Sequence, residues 1–187
     1  MIAWIEGIDA GLLGWLATQR TPLLDGFFAA VTWAGSLWLI APASLALAWL
    51  AWRHGQRTAA LLLGLGPLAA SLASWALKLA CDRTRPDTFP PLIPLPADAS
   101  FPSGHTVQAT AFALTLLLAL HASGREVTVA MAAVALGYVA LIGLSRLYLQ
   151  VHYPSDVVAG MVVGVVGVVG VLAVHALIAP RSARLFQ

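Results

Sequence analysis

Charge is what this chain has least of. Its 187 residues include ten Lys plus Arg and eight Asp plus Glu, 10% together, against 60% hydrophobic residues. Soluble globular domains carry about 25% charged and about 45–50% apolar residues. With a mean hydropathy of +0.86, the chain cannot hide its apolar surface in one ordinary core, and a bilayer is the expected solvent. The net charge of +2 is too slight a surplus to call for a nucleic-acid partner. A lone cysteine, Cys81, excludes an intrachain disulfide. Tandem repeats, charge runs and low-complexity linkers are missing too, so residues 1–187 read as one domain.

What the chain does have is long stretches free of charge. Residues 27–52, 58–77, 99–124, 127–145 and 157–180 contain no Asp, Glu, Lys or Arg. Crossing a hydrocarbon core of about 30 Å takes roughly 20 helical residues, and the backbone must satisfy its own hydrogen bonds in lipid. The expectation is an all-α membrane bundle of five transmembrane helices. The third run opens with the loop-like Ser100-Phe-Pro-Ser-Gly104, which places the start of its helix near His105. Pro42 and Pro67 fall inside runs and should kink them. Gly160, Gly164, Gly167 and Gly170 form a stripe in the last run suited to close helix packing.

Residues 2–19 differ, because Glu6 and Asp9 interrupt them and leave too short an apolar stretch to cross a bilayer. Ile5, Ile8, Leu12, Trp15 and Leu16 fall roughly on one helical face, with Leu13 off it, which reads as an interfacial amphipathic helix. A sixth span is the alternative. Glu6 and the lack of a leading basic residue argue against a signal peptide.

Orientation follows from Arg and Lys placement. Alternation through five spans puts Arg53, Arg57, Arg125, Arg181 and Arg184 on one side, and Arg20, Lys78, Arg83, Arg85 and Arg146 on the other. The tally is level, but four of the second set belong to motifs whose chemistry would exempt them from the orientation bias. That places the N-terminus and the chemistry outside, with Arg53, Arg57 and Arg125 in the cytoplasm.

Polar residues gather in three clusters, all on that outer face. They are Lys78-Leu-Ala-Cys-Asp-Arg-Thr-Arg85-Pro86, then Pro102-Ser-Gly-His105, then Ser145-Arg146 through His152 to Asp156. A proline-rich connection from about Cys81 to Gly104 joins the first two and cannot be helical throughout. Lys78, Arg85 and Arg146 offer three cations, two of them with guanidinium forks suited to phosphate. Ser103 and Gly104 precede a helix whose free N–H groups favour an anion. Snorkelling to headgroups would explain any one cation alone, but not three beside paired histidines. His152 suits a nucleophile whose Nδ1 is held by Asp156, and His105 suits the general acid for the departing oxygen. His54, His121 and His175 lie away from the clusters and read as structural. For Arg83 the sequence offers only a possible headgroup or diphosphate contact.

Taken together the clusters resemble the signature of the type 2 phosphatidic acid phosphatase (PAP2) superfamily. Its pattern is Lys, six residues, Arg-Pro; Pro-Ser-Gly-His; and Ser-Arg, five residues, His, three residues, Asp. The chain matches it at Lys78…Arg85-Pro86, Pro102-Ser103-Gly104-His105 and Ser145-Arg146…His152…Asp156. The resemblance implies phosphate binding by Lys78, Arg85, Ser103, Gly104 and Arg146, and a metal- and cofactor-free reaction through phosphorylated His152. Asp156 would orient that histidine and His105 would protonate the leaving group. Independently, the acids available on this face, read as Asp82, Asp87, Asp98 and Asp156, are few for a two-metal site.

The short chain and its N-terminal helix look like small bacterial members of the inner membrane that act on undecaprenyl pyrophosphate. Phosphatidylglycerophosphate, phosphatidate, or transfer of the phosphoryl group to another lipid would use the same residues. A transporter or channel would spread polar groups through the spans, whereas here they crowd one face. A soluble vanadium haloperoxidase is opposed by the hydropathy. Oligomeric state is not legible.

Overall fold

The computed structural model describes residues 2–178, and among these every regular element is helical. In chain order they are α1 (Ile2–Thr18), α2 (Pro22–Val31), a 3₁₀ turn (Thr32–Gly35), α3 (Leu37–Arg53), α4 (Arg57–Cys81), α5 (Gly104–Ala122), α6 (Val129–Tyr148) and α7 (Pro154–Ile178). Helices α4, α5, α6 and α7 are each long and apolar enough to cross a membrane, and the bent pair formed by α2 with its turn and α3 is a fifth candidate. Arg181 and Arg184 lie outside the described residues.

The first charge-free run is where the expectation of a simple span fails. It is broken at Ser36, where the two halves meet at 41°, rather than at Pro42, which lies inside α3. Two local causes are visible. Thr21 caps α2 by accepting from the Leu24 N–H, with Pro22 pre-set at the first helical position, so this helix starts before the run does. Gly35 then packs so tightly that a Cβ there would meet Ile142 Cγ2 at 2.5 Å and the His105 carbonyl oxygen at 3.3 Å. The chain turns where only glycine fits.

Three glycines of the α7 stripe pack inside the molecule, while Gly170 is exposed. A Cβ on Gly160 would stand 2.9 Å from the Ser103 carbonyl oxygen, one on Gly164 would be 2.8 Å from that of Val107, and one on Gly167 would be 2.6 Å from Ala70 Cα. Backbones of α4, α5 and α7 therefore touch directly around Ala70, Val107, Ala111 and Val168, all fully buried. This close approach draws the start of α7 against the start of α5, where the Ser103 N–H donates to the Asp156 carbonyl oxygen at 3.0 Å.

Helix α1 corrects the amphipathic reading in one respect. Its protein-facing residues are Asp9, Leu13 and Leu16, at 2–3% exposure, while Trp4, Ile5, Ile8, Leu12 and Trp15 stay uncovered. Leu13 and Leu16 pack with Leu147, Leu149 and Val151 beside α6 and α7. Of the expected face, Ile5, Ile8, Leu12 and Trp15 look outward and only Leu16 turns inward, because in a membrane protein the outward face can be as apolar as the core.

Candidate active site

Residues of all three clusters reach one end of the bundle, and six of the expected site residues line a single cavity of about 340 Å³. Its walls include Lys78, Arg85, Gly104, His105, Arg146 and His152, with Asp98, Ser74 and Gln108 between them. Helix ends do the positioning. Lys78 rides on the last turn of α4, Gly104 and His105 on the first turn of α5, and Arg146 on the last turn of α6. Asp82, in the left-handed region at φ 39°, ends α4 and sends the chain into the proline-rich segment. That segment carries no regular element from Asp82 to Ser103. It folds back so that the Ser100 N–H donates to the Arg83 carbonyl oxygen at 2.8 Å.

His152 sits in the loop between α6 and α7 and is 2% exposed. Its Nδ1 lies 3.5 Å from Asp156 Oδ2 and 3.4 Å from Ser100 Oγ. Its Nε2 faces Arg85 Nη1 at 3.2 Å. Because a guanidinium can only donate, Nε2 there is the lone-pair nitrogen and Nδ1 carries the hydrogen. Asp156 is fully buried and saturated with donors. Arg83 donates to Oδ1 at 2.6 Å, and Ser100 Oγ and the Tyr153 N–H donate to Oδ2 at 2.5 and 3.0 Å.

Burial pushes the His152 imidazole well down, to about 4, with Arg146 and Arg85 adding to the fall and Asp156 only partly offsetting it. The sign is that of a group kept neutral: protonation is deferred to acid pH, so the lone pair on Nε2 is present throughout the neutral range. In ¹⁵N-histidine spectra of the protein in micelles, the His152 nitrogens should keep neutral, Nδ1-protonated shifts from pH 8 down past 6. Titration at or above the ordinary value of about 6.5 would contradict this geometry.

The cations are not equivalent. Lys78 Nζ lies 3.2 Å from Asp98 Oδ2 and also donates to the Ala99 carbonyl oxygen. Arg85 donates to Asp98 Oδ1 at 2.6 Å and to the Val151 carbonyl oxygen at 2.8 Å. Asp98, which burial alone would push up, is held below the usual carboxylate range by Lys78 and Arg85. Arg146 is 1% exposed. Its Nη1 donates to Thr32 Oγ1 at 2.6 Å, while its buried Nε has no partner among the described residues.

Two expected residues stand off the cavity wall. Ser103 is fully buried, its N–H is taken by Asp156, and its Oγ accepts from Thr106 Oγ1 at 3.0 Å. Asp156 lies behind His152, off the cavity wall, with Oδ2 3.5 Å from Nδ1. Arg83, read as a possible headgroup contact, points away from the cavity and into a cage of Asp9, Ser155 and Asp156. Asp9 is also a further acid on this face that the count of four omitted. Among the described residues no three His, Cys, Asp or Glu side chains are grouped to hold a metal ion. Sequence reasoning missed Asp9, Asp98, Ser100 and Thr32. Only Asp9 carried a signal, an acid interrupting an apolar helix.

Helices of membrane-spanning length, converging on a cavity lined by three cations and two histidines, define a membrane protein of the PAP2 type. Residues 59–178 match the PAP2 superfamily, and the chain belongs to it. Among curated relatives, the undecaprenyl-diphosphatase BcrC of Bacillus subtilis is 33% identical over 131 residues, 68% of this chain and 64% of that one. The decaprenylphosphoryl-5-phosphoribose phosphatase of Mycobacterium tuberculosis is 36% identical over 107 residues, 56% of this chain and 54% of its own. These matches thus span between half and two thirds of the relatives' length. Among solved structures, the transmembrane PAP2-type phosphatidylglycerolphosphate phosphatase of Bacillus subtilis superposes with a TM-score of 0.79 at 25% identity, covering 95% of this chain and 89% of that one. Aquifex aeolicus LpxE gives 0.67 at 25% identity, covering 88% and 94%.

Proposed function

We propose that the protein is a metal-independent lipid phosphatase of the bacterial cytoplasmic membrane, acting on a polyprenyl diphosphate, undecaprenyl pyrophosphate in the first instance. The observation that carries this reading is the single cavity on which Lys78, Arg85, Arg146, His105 and His152 converge. A phosphoryl group there would meet three cations, the N–H groups that begin α5, and the lone pair of His152 Nε2. Developing charge on its equatorial oxygens is what such donors stabilise. Attack by Nε2 on the terminal phosphorus forms the N–P bond as the bond to the bridging oxygen breaks, the lipid monophosphate leaves, and His105 donates the proton that oxygen needs. Water, deprotonated by His105, then releases inorganic phosphate from His152. Asp98 occupies Lys78 and Arg85 and would have to yield them to the incoming phosphate.

The polyprenyl assignment is supported by relatives whose names state polyprenyl substrates. A phosphatidylglycerophosphate substrate is the second reading, favoured by the likeness to the Bacillus subtilis phosphatase over 95% of the chain. Outward orientation is supported by the fate of the cations. Arg53, Arg57 and Arg125 are exposed at the end away from the cavity. Lys78, Arg83, Arg85 and Arg146 have protein partners at the other, so they do not count as free loop charges.

The test is phosphate release by purified protein in detergent with EDTA. The panel holds undecaprenyl pyrophosphate, phosphatidylglycerophosphate and phosphatidate. Release should be fastest from the diphosphate, persist in EDTA and be blocked by vanadate, a mimic of pentacoordinate phosphorus. An absolute need for Mg²⁺ would overturn the metal-free mechanism, and preference for phosphatidylglycerophosphate would move the second reading ahead.

A further inference from the structure

Arg83 lies off the wall of the substrate cavity, and both its terminal nitrogens are committed to protein partners. Its Nη1 donates to Asp156 Oδ1 at 2.6 Å and to Ser155 Oγ at 2.8 Å, and its Nη2 donates to Asp9 Oδ2 at 2.9 Å. The guanidinium carbon stands 4.1 Å from the centroid of the Tyr153 ring. Asp9, 2% exposed on α1, also accepts from the Ser155 N–H at 2.9 Å and from Ser155 Oγ at 2.6 Å. At the other end of the same loop, Gln150, in the left-handed region at φ 58°, donates from Nε2 to the Leu13 carbonyl oxygen at 2.9 Å. Helix α1 thus grips the His152 loop at both ends, and its outer face, with Trp4, Ile8 and Trp15 uncovered, is free to sit in lipid.

We propose that Asp9 and Arg83 are positioning residues: α1 holds Arg83 through Asp9, and Arg83 holds the Asp156 carboxylate in the rotation that orients His152. This rests on the phosphohistidine reading above. One guanidinium bridging two buried carboxylates shares its single charge between them, and it fixes Oδ1 of Asp156 so that Oδ2 stays turned to Ser100 and Nδ1 of His152. Neither residue touches the substrate, so their loss should slow chemistry without weakening binding.

The experiment compares Arg83→Gln, Arg83→Lys, Asp9→Asn and the Asp9→Asn/Arg83→Gln pair with the unaltered protein, on a lipid it hydrolyses. Arg83→Gln should lower kcat by on the order of 10–100-fold, the range for outer partners of an oriented histidine, with KM within about twofold. Arg83→Lys should recover part of that loss. Asparagine at position 9 keeps one oxygen to accept from the Ser155 N–H, so Asp9→Asn should cost less, and the pair should be no slower than Arg83→Gln alone. A raised KM at unchanged kcat would make Arg83 a substrate contact and overturn the proposal, as would losses that multiply in the pair. Melting temperature in detergent accompanies each variant. If Arg83→Gln does not fold, the kcat against KM split of Arg83→Lys and Asp9→Asn decides. An unaltered protein that releases no phosphate would defeat the phosphatase reading itself. His152-dependent release with undiminished kcat in Arg83→Gln would defeat only this one.

Discussion

Replacing His152 by Ala should lower phosphate release by roughly 10⁴–10⁶-fold, the scale on which an enzyme loses turnover with its nucleophile, and should abolish any acid-labile ³²P label on the protein. The geometry demands a large effect because nothing else can substitute. His105, the other histidine on the cavity wall, stands on α5 with no carboxylate hydrogen-bonded to its ring among the described residues, whereas His152 has Asp156 and Ser100 behind it. Asp156→Asn should cost less, on the order of 10²–10⁴-fold, for a specific reason. Arg83 requires an acceptor at the Oδ1 position, and Ser100 with the Tyr153 N–H requires one at Oδ2. An amide supplies only one oxygen, so in either rotation it turns its NH₂ on a donor. Phosphate release and label retention would be measured side by side. Normal turnover in His152→Ala would remove the phosphohistidine mechanism altogether.

How much of this was legible beforehand divides along physical lines. The helical spans were legible because lipid forbids unsatisfied backbone and charge is scarce. The convergence of the clusters followed from their lying at alternating span ends, and Lys78, His105, Arg146 and His152 do share a cavity. What failed was whatever depends on burial direction. In α1 the apolar periodicity marked mostly the outward face, so Leu13 seemed off the pattern and is in fact 2% exposed. The bend at Ser36 comes from Gly35 meeting Ile142 and His105, residues more than 65 positions away, which no local signal encodes. Arg83 was set apart from Arg85 only by falling outside the Lys78…Arg85-Pro86 pattern, which gave no sign that Arg85 faces the cavity while Arg83 is held behind Asp156. The difference is a left-handed turn at Asp82 and a carboxylate on a distant helix.

Arg146→Lys should lower kcat/KM by roughly 10²–10³-fold, the cost of removing one preorganised donor at a developing oxyanion. It should also weaken vanadate inhibition in proportion. Lysine keeps the charge, so the prediction isolates geometry. Arg146 is 1% exposed and pinned by Thr32 Oγ1 at 2.6 Å, and its Nε has no partner among the described residues. A buried donor left unpaired is costly, and here it sits on a guanidinium at the wall of a cavity shared with His152. The planar fork could bind two phosphoryl oxygens at once, which an ammonium cannot. Thr32→Val should produce a smaller loss in the same direction, because it frees the fork without removing it. The assay is kcat/KM on the preferred lipid together with the vanadate inhibition constant. If Arg146→Lys kept activity within about threefold, charge alone would suffice at this position. The buried fork, with the bent α2–α3 pair that carries Thr32 to it, would then have no part in holding the transition state.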